Sequence, residues 1–72
     1  MSPQILSEKA LHAMRNAFSA TQKESFDFDY FRDLFPEESD ESINQGLYLL
    51  EKSGLVTIQP ADGIAYMTLL IN

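Results

Sequence analysis

Asp27, Asp29 and Asp33 lie close together and offer carboxylate oxygens to a hard cation. A calcium loop also needs a glycine at its centre, and none stands at that spacing among these aspartates. The better expectation is a helix cap at Asp29 and solvated charges at the other two. His12, the single histidine, has no carboxylate or cysteine companion at a ligand spacing and reads as a surface residue. Serines are frequent, but no local motif sets one beside a histidine or lysine base. The three glycines, Gly46, Gly54 and Gly63, are too scattered to cradle a phosphate. There are no cysteines, so neither a disulfide framework nor a thiolate metal site is available. No enzyme, no metal, no cofactor and no small-molecule substrate is expected.

A second chemistry is recognition. Asn44 and Gln45 carry the paired donor and acceptor that can read adenine, and Lys52 suits a phosphate or guanine. Whether they act together depends on the element beneath them. Ile43, Gly46, Leu47 and Leu50 recur at i, i+3, i+4 and i+7, one face of a helix. Ser39 is its expected cap, and Asp40 and Glu41 suit the positive end of its dipole. Gly54 is placed to end it, with Leu55 folding back on Leu50. If the apolar face turns inward, Glu41, Asn44, Gln45, Tyr48 and Lys52 share the outward face. An aromatic such as Tyr48 on a polar face is a mark of a contact surface.

The remaining elements follow from similar signals. Ala10, Leu11, Met14, Ala17 and Phe18 form the apolar stripe of a first helix. It has two eligible starts, Ser2-Pro3 and Ser7. Phe26-Asp27-Phe28-Asp29 alternates as a short strand does. A brief second helix would then hold Phe31, Leu34 and Phe35, limited by Pro36. Val56 and Ile58 alternate with Thr57 and Gln59, Pro60-Ala61-Asp62-Gly63 reads as a turn, and Ile64 to Ile71 is rich in strand formers. On this last strand Met67, Leu69 and Ile71 alternate with Tyr66, Thr68 and Leu70. One face should cover the core. The other, with Tyr66 and Leu70, would be an apolar surface open to pairing unless the first helix or its arm at Ile5 and Leu6 covers it.

The order helix, short strand, helix, helix, strand, turn, strand resembles a winged helix-turn-helix domain over essentially the whole chain. The fold implied is α+β: three helices, a short strand and a C-terminal hairpin as the wing, one unit over residues 1–72. Phe26-Asp27-Phe28-Asp29-Tyr30-Phe31-Arg32-Asp33-Leu34-Phe35-Pro36 also resembles the corresponding segment of the small D protein family encoded with dissimilatory sulfite reductase. That family is a winged-helix group without catalytic residues, discussed first as nucleic-acid binding and later as a regulator of the reductase. Its third helix is rich in Lys and Arg, whereas Lys52 is the only basic residue of this one. The resemblance therefore carries the fold and no functional residue.

Charge decides between partners. The 72 residues carry five Lys/Arg and eleven Asp/Glu, a formal net charge of −6. The segment from Glu24 to Glu41 contributes eight acids against Arg32 alone. Specific DNA binders neutralise on the order of 6–10 phosphates, but here the cations are dispersed and the hairpin has none. Glu37, Glu38, Asp40 and Glu41 crowd the start of the helix that would enter the groove. The expectation is a non-enzymatic module that binds a protein partner or its own copy through Glu37, Glu38, Glu41, Tyr48, Tyr66 and Leu70. The alternative is a small DNA-binding regulator using Asn44, Gln45, Tyr48 and Lys52. No apolar run approaches the roughly 20 residues that cross a bilayer, and the first residues carry no signal-like segment. No membrane contact and a cytoplasmic location are expected.

Overall fold

The computed structural model describes residues 1–70. Its elements are α1 (Pro3–Thr21), β1 (Ser25–Asp27), α2 (Phe28–Leu34), α3 (Asp40–Lys52), β2 (Val56–Ala61) and β3 (Ile64–Leu69). Three helices thus accompany one antiparallel sheet of order β1-β3-β2, a small α+β arrangement.

Local chemistry explains most boundaries. α1 begins at the earlier of its two eligible starts: Ser2 Oγ accepts from the Ile5 amide at 3.2 Å, and Pro3 occupies the first turn. Ser7 lies within the helix, where its hydroxyl donates to the Gln4 carbonyl at 2.7 Å. The helix closes on Gln22 in the left-handed region (φ 62°), whose amide donates to the Phe18 carbonyl. α2 starts earlier than the sequence suggests. Asp27 Oδ1, not Asp29, accepts from the Tyr30 amide at 3.0 Å. Asp27 is the last residue of β1 and already extended (φ −83°, ψ 173°), the conformation a cap requires. Asp29 falls in the first turn of α2 instead. Phe35, next to Pro36, leaves helical geometry at φ −125° and ψ 66°.

α3 is capped by Ser39, whose Oγ accepts from the Ser42 amide at 3.1 Å. At its other end Gly54 adopts φ 75°, the Gly54 amide donates to the Glu51 carbonyl, and the Leu55 amide donates to the Leu50 carbonyl, both at 3.0 Å. These are the two bonds of a Schellman motif. The hairpin turn is shorter than the four residues read as a turn. Asp62 and Gly63 alone make it, both with positive φ, as a two-residue hairpin connection requires. Pro60 and Ala61 pair with Ala65 and Ile64 as part of β2. Proline is admissible there because β2 is an edge strand.

The core lies between the sheet and the helices. Leu6, Ala10 and Met14 of α1 meet Ile43, Leu47 and Leu50 of α3, with Phe26, Phe31, Phe35, Val56, Met67 and Leu69 closing the cluster. Gly46 lets α1 and α3 approach closely: a Cβ there would collide with the Leu6 side chain, with Leu6 Cβ and Cγ both 3.2 Å away. Tyr30 leans on Phe26 at 4.8 Å between ring centroids and meets Phe31 edge-on at 5.1 Å. These rings tie β1 and α2 together and so set the position from which α3 departs.

Candidate interaction surface

Burial of Ile43, Gly46, Leu47 and Leu50 leaves one consequence for the rest of α3. Glu41, Asn44, Gln45, Tyr48 and Lys52 are all exposed, as the helical spacing predicts. Tyr48 is 57 % exposed, the most open of the large apolar or aromatic side chains of the helices. The face is a polar row with one aromatic at its middle, and its charges are Glu41 near the start and Lys52 at the end.

The acids around the start of α3 are not equivalent. Arg32, the last-turn residue of α2, donates from Nε to Asp40 Oδ1 at 3.0 Å and from Nη2 to Asp40 Oδ2 at 2.8 Å. Its Nη1 donates to Asp29 Oδ1 at 2.7 Å, and its guanidinium stacks over the Phe28 ring at 4.9 Å. The hydrogen bonds from Arg32 hold the Asp40 carboxyl below the usual carboxylate range, and those two carboxylates, Asp40 first, raise the Arg32 guanidinium. Both groups are solvated, so the fork fixes geometry more than it adds stability. Glu38 lies 3.2 Å from the Met1 amino group. Glu37 and Glu41 enter none of the ion pairs among the described residues. Of the acids read as a rim, these two project unneutralised charge.

The fork also removes a cation. Arg32 is the only basic residue of the α2–α3 unit besides Lys52, and it is committed to two aspartates. Lys23 stands 5.2 Å from the centroids of both the Phe26 and Tyr30 rings. Lys9 and Arg15 are exposed on α1. Lys52 is the one cation in the sequence of α3.

The remaining candidate contacts fall elsewhere. Tyr66 is half-buried and Leu70 is 43 % exposed. Tyr66 lies opposite Asp27 and Gln59, on the face of the sheet turned away from the core. The Leu70 amide donates to the Leu55 carbonyl just beyond the end of α3. With about 1.5 Å of rise per residue, α3 places roughly 16 Å between that end and Glu41. The contact residues expected from sequence therefore fall on separate elements: Glu37, Glu38, Glu41 and Tyr48 at the start and middle of α3, and Tyr66 and Leu70 on and just after β3. Ile71 lies outside the described residues.

The exposed-strand expectation needs correction. β3 is the central strand, hydrogen-bonded on both sides, so its backbone is not open to another chain. Leu6 is buried in the core and Ile5 stays exposed. Beside Tyr66 the outer face carries a polar ladder, in which Thr68 lies opposite both Ser25 and Thr57, and its hydroxyl donates to Ser25 at 3.3 Å. Sequence alternation identified the two faces but not the strand order.

Two features had no sequence signal. Arg32 reaches across the turn to Asp40, eight residues on, and Glu51 Oε2 accepts the Ile58 amide at 3.2 Å. A groove of about 500 Å³ also runs between α1 and α3, floored by Leu11, Leu49, Leu50 and Leu55 and edged by Ser7 and Glu8. No group of three or more metal-ligating side chains is gathered among the described residues, and none of their helices is long and apolar enough to cross a membrane. Searches against family models, curated proteins and solved structures find no match to this chain.

Proposed function

We propose that the chain is a winged helix-turn-helix module that acts without catalysis, as a regulatory or adaptor domain binding protein through α3. The helix order, the tight α2–α3 connection and the β2–β3 hairpin support the winged-helix reading. One observation carries the choice of partner: the outward face of α3 has a single cation, Lys52, while Glu37 and Glu41 at its start enter no ion pair among the described residues. A duplex docked on that face would bring phosphates toward carboxylates. A basic protein surface would instead be steered toward it, at a rate that falls with salt. Tyr48, exposed in the chain, supplies the aromatic that such an interface would bury as an anchor.

Capture of partners from the native host tests the reading. The wild-type chain is compared with Glu37→Lys/Glu41→Lys and with Tyr48→Ala. Loss of a captured protein in both variants supports the proposal. An unchanged set in both overturns it.

A second reading has an observation of its own. Asn44, Gln45, Tyr48 and Lys52 are exposed together on one face, the row a groove-reading helix presents. Fluorescence anisotropy on genomic duplexes at about 50 mM salt tests it, since low salt favours phosphate contact. Sequence-selective binding relaxed by Gln45→Ala would establish the DNA regulator in place of the protein module. Absence of binding there removes it.

A further inference from the structure

The sheet has two edges, and β2 is the longer. In an antiparallel pair closed by a two-residue turn, the residues flanking the turn exchange hydrogen bonds, and alternate residues point their amides away. Ala61 and Ile64 flank the turn, so Ala61, Gln59 and Thr57 bond to β3. The Leu70-to-Leu55 bond continues the same alternation. Pro60, Ile58 and Val56 therefore face the open side. Such a row is a template for another strand.

Each position on that row is closed differently. Pro60 has no amide hydrogen. Val56 is buried at the start of the strand. Ile58 does have a donor, and it is taken by Glu51 Oε2 at 3.2 Å. Glu51 belongs to the last turns of α3, so the carboxylate reaches from the helix onto the strand. It fills the donor and also sets a negative charge where the carbonyl oxygen of an incoming strand would have to sit.

We propose that Glu51 is an edge guard: by holding the Ile58 amide it closes β2, together with Pro60, against the β2 strand of a second copy of the chain. Contact between copies is thereby directed to side-chain surfaces rather than to strand pairing. The guard is independent of the α3 outer face and stands whether that face binds protein or DNA.

Amide hydrogen exchange and sedimentation of the full chain test it. Glu51→Ala should speed exchange at Ile58 by about tenfold or more, as loss of a hydrogen bond to a charged group implies, with Met14 on α1 unchanged. Glu51→Gln keeps an acceptor oxygen and should restore most of the protection. Glu51→Ala/Pro60→Thr should sediment as a larger species than wild type at equal concentration. Equal Ile58 exchange in wild type and Glu51→Ala overturns the proposal, as does a double variant that sediments like wild type. Should Glu51→Ala lose its fold, the wild type alone decides. The Ile58 amide, held by Glu51, should exchange more slowly than a freely solvated amide, and an Ile58 amide that exchanges at the rate of an unstructured peptide refutes the contact.

Discussion

Replacing Gly46 by alanine tests the packing on which the α3 face depends. In an exposed helix this change gains about 1 kcal/mol, because glycine is the costlier residue to order. Here the new methyl group would run into Leu6, which is fully buried and has Cβ and Cγ within 3.2 Å of the added carbon. Leu6 can escape only by leaving its rotamer or by pushing α1 from α3, and overpacking of that kind costs about 1–3 kcal/mol. Set against the helix gain, the net expectation is a destabilisation of about 1 kcal/mol. For a domain of this size that lowers the melting temperature by roughly 4–8 °C. Calorimetry or denaturant unfolding monitored by circular dichroism measures it. The double variant Leu6→Ala/Gly46→Ala supplies the mechanism. Leu6→Ala alone should cost about 2–5 kcal/mol through its cavity, and the methyl group introduced by Gly46→Ala should fill part of that space. The pair should therefore cost less than the two single effects together by at least about 0.5 kcal/mol. A Gly46→Ala chain stabilised by the full helix gain of about 1 kcal/mol, or an additive double variant, would refute the close-approach account of α1 and α3.

Other expectations follow from the caps, the fork and the exposed tyrosine. Ser39→Ala removes the acceptor for the Ser42 amide and should cost about 1 kcal/mol in denaturant unfolding, whereas Ser39→Asp should restore most of it. The Asp40 carboxyl, held low by its hydrogen bonds from Arg32, should titrate below the ordinary carboxylate range by NMR and return upward in Arg32→Gln. Because its folded-state value is depressed, the stability linked to Asp40 is present above the ordinary carboxylate range. It is lost as pH falls through the depressed value, and solvation keeps the effect small. Tyr48→Ala should change unfolding stability by no more than about 0.5 kcal/mol, since the ring is largely solvent-exposed and lies outside the core. A larger loss would show that Tyr48 serves the fold rather than a partner.

The Ser39 cap, the α3 apolar face and the Gly54 exit were legible in the sequence because each depends on residues within a few positions of one another. The outward row Glu41, Asn44, Gln45, Tyr48 and Lys52 followed from the same 3.6-residue period once the inward face was known. The start of α2 was misplaced by two residues. Asp27 and Asp29 are both eligible caps, and the choice fell to Asp27 because pairing of β1 with β3 had already extended it. The hairpin turn was read too long because Pro60 resembles a turn residue until the strand is known to lie at an edge.

Charge count and its concentration between Glu24 and Glu41 were also properties of the chain alone. Which of those acids remain unneutralised was not. Arg32 reaches Asp40 only because the Phe35–Ser39 turn brings α2 beside the start of α3, and Glu51 reaches Ile58 only because β2 folds back along the end of its helix. Strand order is the same kind of property: β3, the last strand in sequence, became the central one when β1 paired with its far side. Local periodicity determines which side of an element is apolar. Contacts between segments distant along the chain determine which backbone edges are open and which charges are cancelled, and those are the features that select a partner.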